Sequence, residues 1–162
     1  MKAIINDETK TLILALKNFV RSESGDEKKA AELEKNIIKI AIKSFMLIDK
    51  GKLEAEEFLK ADAPLRETFE LLGRCYTARN RVQPDVFKDA LLRVEGHLKD
   101  AEEIITNVLA PYLRPKNMFR ISAAFGVLAD AQFLEHVFAD EAIEEDLEKL
   151  IDAMEYYTQF HY

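Results

Sequence analysis

The sequence predicts an all-α fold, an antiparallel bundle of about six to seven helices in a single domain covering residues 1 to 162. Three observations predict it. Apolar residues recur at helical spacing along nearly the whole chain. The composition is 48% hydrophobic and 33% charged, with five Gly and four Pro, which suits a globular helical chain and not a disordered, fibrous or β-rich one. No segment alternates apolar and polar residues in the way a half-buried strand would.

The elements follow in order. Asp7 can cap a first helix running to about Ser22, with Leu12, Ala15, Leu16 and Phe19 on one stripe. Ser24 with Glu27 makes a capping-box pattern for a second helix that ends near Lys50, where Gly51 is its stop. Nine of the twelve residues from Ile37 to Ile48 are apolar. A helix so apolar around its circumference is expected in the middle of the bundle, leaving Lys39 and Lys43 as a narrow wet stripe. Pro64 breaks or kinks a third helical region, about Glu54 to Arg79. Pro84 suits the first turn of a fourth helix carrying Phe87, Leu91, Val94, Leu98, Ile105 and Leu109 on one stripe to about Ala110. Pro111 and Pro115 force the chain out of it. A fifth helix starts near Lys116, a short sixth is capped by Asp130, and an acidic seventh turns Ile143, Leu147, Leu150, Ile151 and Met154 to the core.

A chain of 162 residues can bury about 70% of the surface exposed when unfolded, enough for one sizeable core. The longest apolar run, Ile37 to Ile48, is interrupted by Lys39, Lys43 and Ser44 and is far shorter than the roughly 20 residues a membrane-spanning helix needs. Met1 to Ile5 runs straight into Asp7 and Glu8, so no N-terminal signal is expected. Cys75 is alone, which excludes an internal disulfide and favours a reducing, cytoplasmic compartment.

The net charge of −7 is uneven. Residues 1 to 81 hold 16 Lys and Arg against 14 Asp and Glu; residues 82 to 162 hold 7 against 16. Between Asp140 and Glu155 eight acids face one base, Lys149. Nucleic acid is an unsuitable partner, since phosphate binding needs a basic face, and any peripheral membrane contact would have to be local.

Catalytic and metal-binding chemistry finds little support. His97, His136 and His161 are far apart and no Glu-x-x-His pair exists, so no metal is expected. The glycines at 25, 51, 73, 96 and 126 form no phosphate cradle, and none of the four serines lies in a Gly-x-Ser-x-Gly elbow. A lone Cys75 reads as a buried, inert thiol. Neither an enzyme nor a cofactor is expected.

Two segments carry a family resemblance. Ile37 to Ile48 reads IIKIAIKSFMLI, and Leu113 to Asp130 reads LRPKNMFRISAAFGVLAD. Ile38, Lys39, Ala41, Ile42 and Lys43 match an LIKVAIK-type helix, while Leu113, Pro115, Lys116, Arg120, Ile121, Phe125 and Asp130 match a later LTPK…RI…F…F.D-type pattern. Asp7-Glu8-Thr9 also stands where such chains open their first helix. In these features the chain resembles the TIPE family, the tumour-necrosis-factor-α-induced protein-eight-like helical bundles. On pattern alone a bundle can fill itself with Leu, Ile and Phe. The resemblance instead implies an apolar central cavity that holds a phospholipid or fatty acid, in a cytosolic protein.

The cavity walls implied for this chain are Ile38, Ile42, Phe45, Phe69, Leu72, Leu91, Phe125 and Leu128. An anionic headgroup at the mouth would need cations. The resemblance aligns one of the family's basic positions with Arg66 and another with Asp49, where the charge is inverted; Lys50 and Lys52 are adjacent, and Lys50 is the candidate substitute. Larger members begin with a basic amphipathic helix, whereas only six residues precede Asp7 here, so that element is not expected. Lys116 and Arg120 are expected to be structural, with Arg120 pairing an acid or capping carbonyls of the fourth helix. The alternative reading is a helical adaptor that signals through protein contacts, using Arg74, Arg79 and Arg81 and the acidic last helix. The aromatic segment Tyr156 to Tyr162 could dock on the bundle or on a partner.

Overall fold

The computed structural model describes residues 6 to 160, so Met1 to Ile5, His161 and Tyr162 lie outside the described residues. The helices are α1 (Asp7–Ser24), α2 (Glu27–Asp49), α3 (Ala55–Leu59), α4 (Asp62–Ala78), α5 (Pro84–Leu109), α6 (Pro115–Phe125), α7 (Ala131–Ala139) and α8 (Glu144–Phe160), with a 3₁₀ turn at Glu141–Ile143 before α8. No strand occurs among the described residues. The fold is therefore an all-α bundle. The third helical region divides in two: a five-residue α3 ends at Leu59, and Pro64 falls in the first turn of α4, where its missing N–H costs nothing.

Local chemistry explains the boundaries. Asn6, not Asp7, caps α1: its Oδ1 accepts from the backbone N–H and hydroxyl of Thr9 at 2.8 and 2.7 Å, leaving Asp7 in the first turn. Ser24 does not cap α2 either. It ends α1, donating its hydroxyl to the Val20 carbonyl, and Asp26 receives the N–H groups of Lys28 and Lys29. The α2 stop at Gly51 (φ 68°) is a Schellman motif, with Lys52 N–H reaching the Leu47 carbonyl and Gly51 N–H the Ile48 carbonyl. Pro84 and Pro115 open α5 and α6, and Asp130 caps α7 through the N–H groups of Gln132 and Phe133.

The core is densest where α1 ends, α2 begins and α7 lies across the bundle. Phe19, Leu91, Val94 and Val137 are fully enclosed there, with Leu72, Cys75, Leu134, Ile143, Leu147, Leu150 and Met154 around them. Phe138 stacks edge-on against Phe87 at 5.6 Å, and Phe19 meets Phe133. Glu95 of α5 accepts the first N–H of α7, from Ala131, and holds Lys99 at 2.5 Å. Arg79 pairs with Glu144 at 2.7 Å across α4 and α8 and lies over the Tyr76 ring, so it is not a free surface arginine. A smaller core of Leu53, Leu109 and Ile121 closes the α2–α3 connection against α5 and α6.

The placement of α2 corrects one expectation. Its fully buried residues are Ala30 and Leu33, both ahead of the apolar run; nothing from Ile37 to Ile48 is fully buried, and Ile42 and Met46 are about half exposed. A central position is the usual home of an all-round apolar helix. Here one side of α2 borders open space inside the bundle and another faces out.

Candidate functional site: an apolar pocket at one end of the bundle

The open space beside α2 is a pocket of about 560 Å³. It lies at the end of the bundle where α1 begins and α2 and α8 finish. Leu12, Ile13 and Leu16 come from α1, Leu65 and Phe69 from α4, Leu98 and Ile105 from α5, Ile121, Ala124 and Phe125 from α6, and Leu150, Met154 and Tyr157 from α8. The α2 contribution is the stripe Ile37, Ile40, Ala41, Ser44, Phe45 and Ile48, an i, i+3, i+4, i+7 series that turns one helical face into a wall. Ala55 and Phe58 of α3 stand at its edge.

Among the described residues the lining contains no charged side chain, and Thr9, Ser44 and Tyr157 are its polar members. Ser44 spends its hydroxyl on the Ile40 carbonyl at 2.8 Å, and Thr9 on Asn6. Tyr157 packs edge-on against Phe69, with centroids 5.8 Å apart. Burial first, then the Asp62 charge, pushes the Tyr157 phenol above its usual range, while Arg66 opposes them. The wall therefore offers an apolar guest dispersion contacts and demands no ionic partner.

Of the residues expected at the site, Phe45, Phe69, Phe125 and Leu128 line the pocket. Ile38, Ile42, Leu72 and Leu91 do not. Ile38 and Ile42 stand four apart on α2, beside the lining stripe and not on it, and Ile42 is 48% exposed. Leu72 and Leu91 are enclosed in the main core at 2% and 0% exposure, because a helix passing through both ends of the bundle gives only one end of its stripe to the pocket. Lys50 is the exposed C-cap of α2 and does not line the pocket. Arg66 is committed to the fold: its Nε lies 2.6 Å from Asp62 Oδ2, and its Nη1 donates to the Thr158 carbonyl at 2.9 Å. It stands near the pocket through Tyr157 but is not among the lining residues. Among the described residues Arg120 pairs with no acid; its Nη1 donates to Asn36 Oδ1 at 2.8 Å, joining α6 to α2. The α1 wall and Phe58 were missed. The Leu12 and Leu16 spacing was legible as an apolar stripe, but nothing in it separates a wall from a core.

Two other features bear on chemistry. Burial pushes the Cys75 thiol up, away from the thiolate a nucleophile needs. Among the described residues no group of three His, Cys, Asp or Glu could hold a metal ion, and no helix is long and apolar enough to cross a membrane.

Comparison with known proteins decides the family. The family model described as tumor necrosis factor alpha-induced protein 8-like matches residues 1–161. The chain belongs to that family. It is 29% identical over 143 residues to the human tumor necrosis factor alpha-induced protein 8-like protein 1, covering 84% of this chain and 72% of the relative. It is also 25% identical over 141 residues to the protein salivary glands marred of Drosophila melanogaster, covering 87% and 73%. Among solved structures, the C-terminal region of G-protein interacting protein 1 from Dictyostelium discoideum superimposes with a TM-score of 0.88 at 34% identity, covering 97% of this chain and 94% of that one. The helical fold is thus shared with a chain that has about a third of its residues in common with this one.

Proposed function

We propose that the protein is a non-enzymatic lipid-binding bundle, which takes the acyl chain of a phospholipid or a fatty acid into the pocket between α1, α2, α4, α5, α6 and α8. The observation that carries this reading is the pocket itself: about 560 Å³ of space walled by aliphatic and aromatic side chains, with no charge among the described residues that line it. That volume is within the usual range of small-molecule sites, and its polar hydroxyls at Thr9 and Ser44 are already bonded within the protein. An acyl chain entering it would gain about 0.8 kcal/mol per buried methylene, roughly what it gives up on leaving a bilayer. Uptake and release between bilayer and protein would then be close to balanced, as a carrier requires. Because neither Arg66 nor Lys50 reaches the lining, the reading assigns affinity to the chain and leaves the headgroup outside the walls.

Native mass spectrometry of the gently purified protein, followed by organic extraction, tests it. A mass excess of one ligand per chain that extracts as phospholipid or fatty acid is expected. Ala124→Trp, which fills the pocket from α6, should abolish the excess while helical circular dichroism is unchanged. A bare polypeptide mass that stays bare after incubation with mixed liposomes would overturn the reading. It would favour the second one, an adaptor working through protein contacts, which draws support from the G-protein interaction stated in the name of the Dictyostelium relative.

A further inference from the structure

The outer side of α2 and α6, turned away from the pocket, collects four cations that form no ion pair among the described residues. Lys39 and Lys43 project from successive turns of α2, and Lys116 and Arg120 from successive turns of α6, which packs against it. Asn36, bonded to Arg120, joins the two rows. Among the described residues none of the four has a carboxylate within 4.0 Å, although the chain carries a net charge of −7. Lys35, one turn before Lys39, is the exception on this face, resting 3.8 Å from Glu32. The crowding is felt electrostatically. The Lys39 ammonium is held below its usual range, first by the Arg120 charge and then by desolvation, Lys35 and Lys116, with the Glu32 carboxylate opposing them.

Large apolar side chains stand exposed among these charges. Phe119, between Lys116 and Arg120, is 71% exposed; Ile42 and Met46, interleaved with Lys39 and Lys43, are 48% and 47% exposed. At 100° per residue, Lys39, Ile42, Lys43 and Met46 fall within about one third of the helix circumference. Cations alternating with apolar side chains on one outward face match the boundary between headgroups and acyl chains of a bilayer. The cations are mostly lysines, whose flexible point charges suit a diffuse field of headgroups better than the two-pronged geometry a carboxylate of a protein partner would select.

We propose that this α2–α6 face rests on an anionic lipid bilayer, with Phe119, Ile42 and Met46 entering the headgroup region, Lys39, Lys43 and Lys116 facing the lipid charges, and Arg120, half-buried and bonded to Asn36, adding its charge behind them. The face shares none of these seven residues with the pocket lining, so the proposal stands apart from the pocket reading. It also orients the molecule: the acidic α8, with Glu144, Glu145, Glu148 and Asp152 exposed, must point away from the membrane.

Flotation of the full chain with vesicles of phosphatidylcholine carrying about 30% phosphatidylserine, against pure phosphatidylcholine vesicles, is the test. Binding is expected to the first and not the second, and to weaken as salt rises from about 0.1 to about 0.5 M. The double variant Lys39→Glu/Lys116→Glu should lose about thirtyfold in affinity or more. Phe119→Ser, at a position exposed enough to spare the fold, should lose about fivefold. Ala124→Trp, which blocks the pocket, should float as the wild type does, so failure of the pocket reading and failure of this one are told apart. Equal binding by the charge-reversed variant with intact helical circular dichroism, equal binding to the neutral vesicles, or no binding at all would overturn the proposal. Self-association of the wild type that the double variant abolishes, without vesicle binding, would assign the face to an acidic protein surface instead.

Discussion

The two ends of the bundle are built from the same kinds of residue and are packed differently. At one end α7 lays Leu134, Val137 and Phe138 across the gap between α1, α4, α5 and α8, and Phe19, Leu91 and Val94 have no exposed surface. At the other end the corresponding filler is α3, five residues long, which offers Ala55 and Phe58 to the gap and leaves a pocket of about 560 Å³ between the described residues. The difference is one of supply. Long helices such as α1, α2, α5 and α8 carry apolar stripes along their length, so whether a given turn is core or wall depends on whether a crossing element fills the space opposite. A short crossing helix makes a pocket without any change in the character of the stripes.

This contrast can be broken by truncation. Leu91→Ala at the closed end should destabilise by about 3 kcal/mol, transfer term plus new cavity, while Phe45→Ala in the pocket wall should cost about 1 kcal/mol, because no new cavity is created next to space already empty. Urea unfolding of the two variants measures the gap; equal losses would mean that the pocket is packed in solution. The next effect concerns Arg66. Arg66→Ala should lower stability by about 1.5 kcal/mol by cutting the tie from α4 to the last turn of α8, with Arg66→Lys recovering only part, since an ammonium cannot reach Asp62 and the Thr158 carbonyl in the same two-pronged way. Thermal melts of both variants decide between this tie and a purely electrostatic role, in which lysine would restore full stability.

The α7 cap holds the filler of the closed end in place. Asp130→Ala should cost about 1 kcal/mol, and because α7 is the filler, its fraying should raise hydrogen exchange at Leu134 and Val137 while leaving α2 unchanged. The smallest expected effect depends on pH. Glu95 is held below its ordinary value of 4.5, first by the hydrogen bond from Lys99 and then by the Ala131 N–H. A depressed carboxyl contributes stability that is present above the unfolded value and is lost as pH falls through the folded one. Glu95→Gln should therefore lower stability at neutral pH and converge on the wild type in acid, as read by urea titrations at the two pH values.

Much of the fold was legible. The helical spacing, the prolines at Pro84 and Pro115 and the cap at Asp130 each act within a turn or two of chain, so local sequence decides them. The capping atoms at Asn6 and Asp26 were misassigned by one or two residues, since neighbouring polar side chains compete for the same N–H groups and only backbone geometry selects the winner. The pocket was half legible. Phe45, Phe69, Phe125 and Leu128 fall on its wall, whereas Leu72 and Leu91 lie in the filled core, Ile38 and Ile42 lie off the α2 stripe, and Arg66 is spent on Asp62 and Thr158.

The amino-acid sequence by itself determined the all-α class, the helix order, the single cysteine, the acidic last helix and, through the IIKIAIK and LRPK segments, membership of the tumor necrosis factor alpha-induced protein 8-like family. Only the tertiary structure decided which end of each apolar stripe is packed and which is left open, and that Lys39, Lys43, Lys116 and Arg120 converge on one outer face. Helical periodicity is a property of consecutive residues and is written locally. Empty space and charge convergence arise between residues far apart in the chain, where the length of α3 and the crossing of α7 set what each side chain meets.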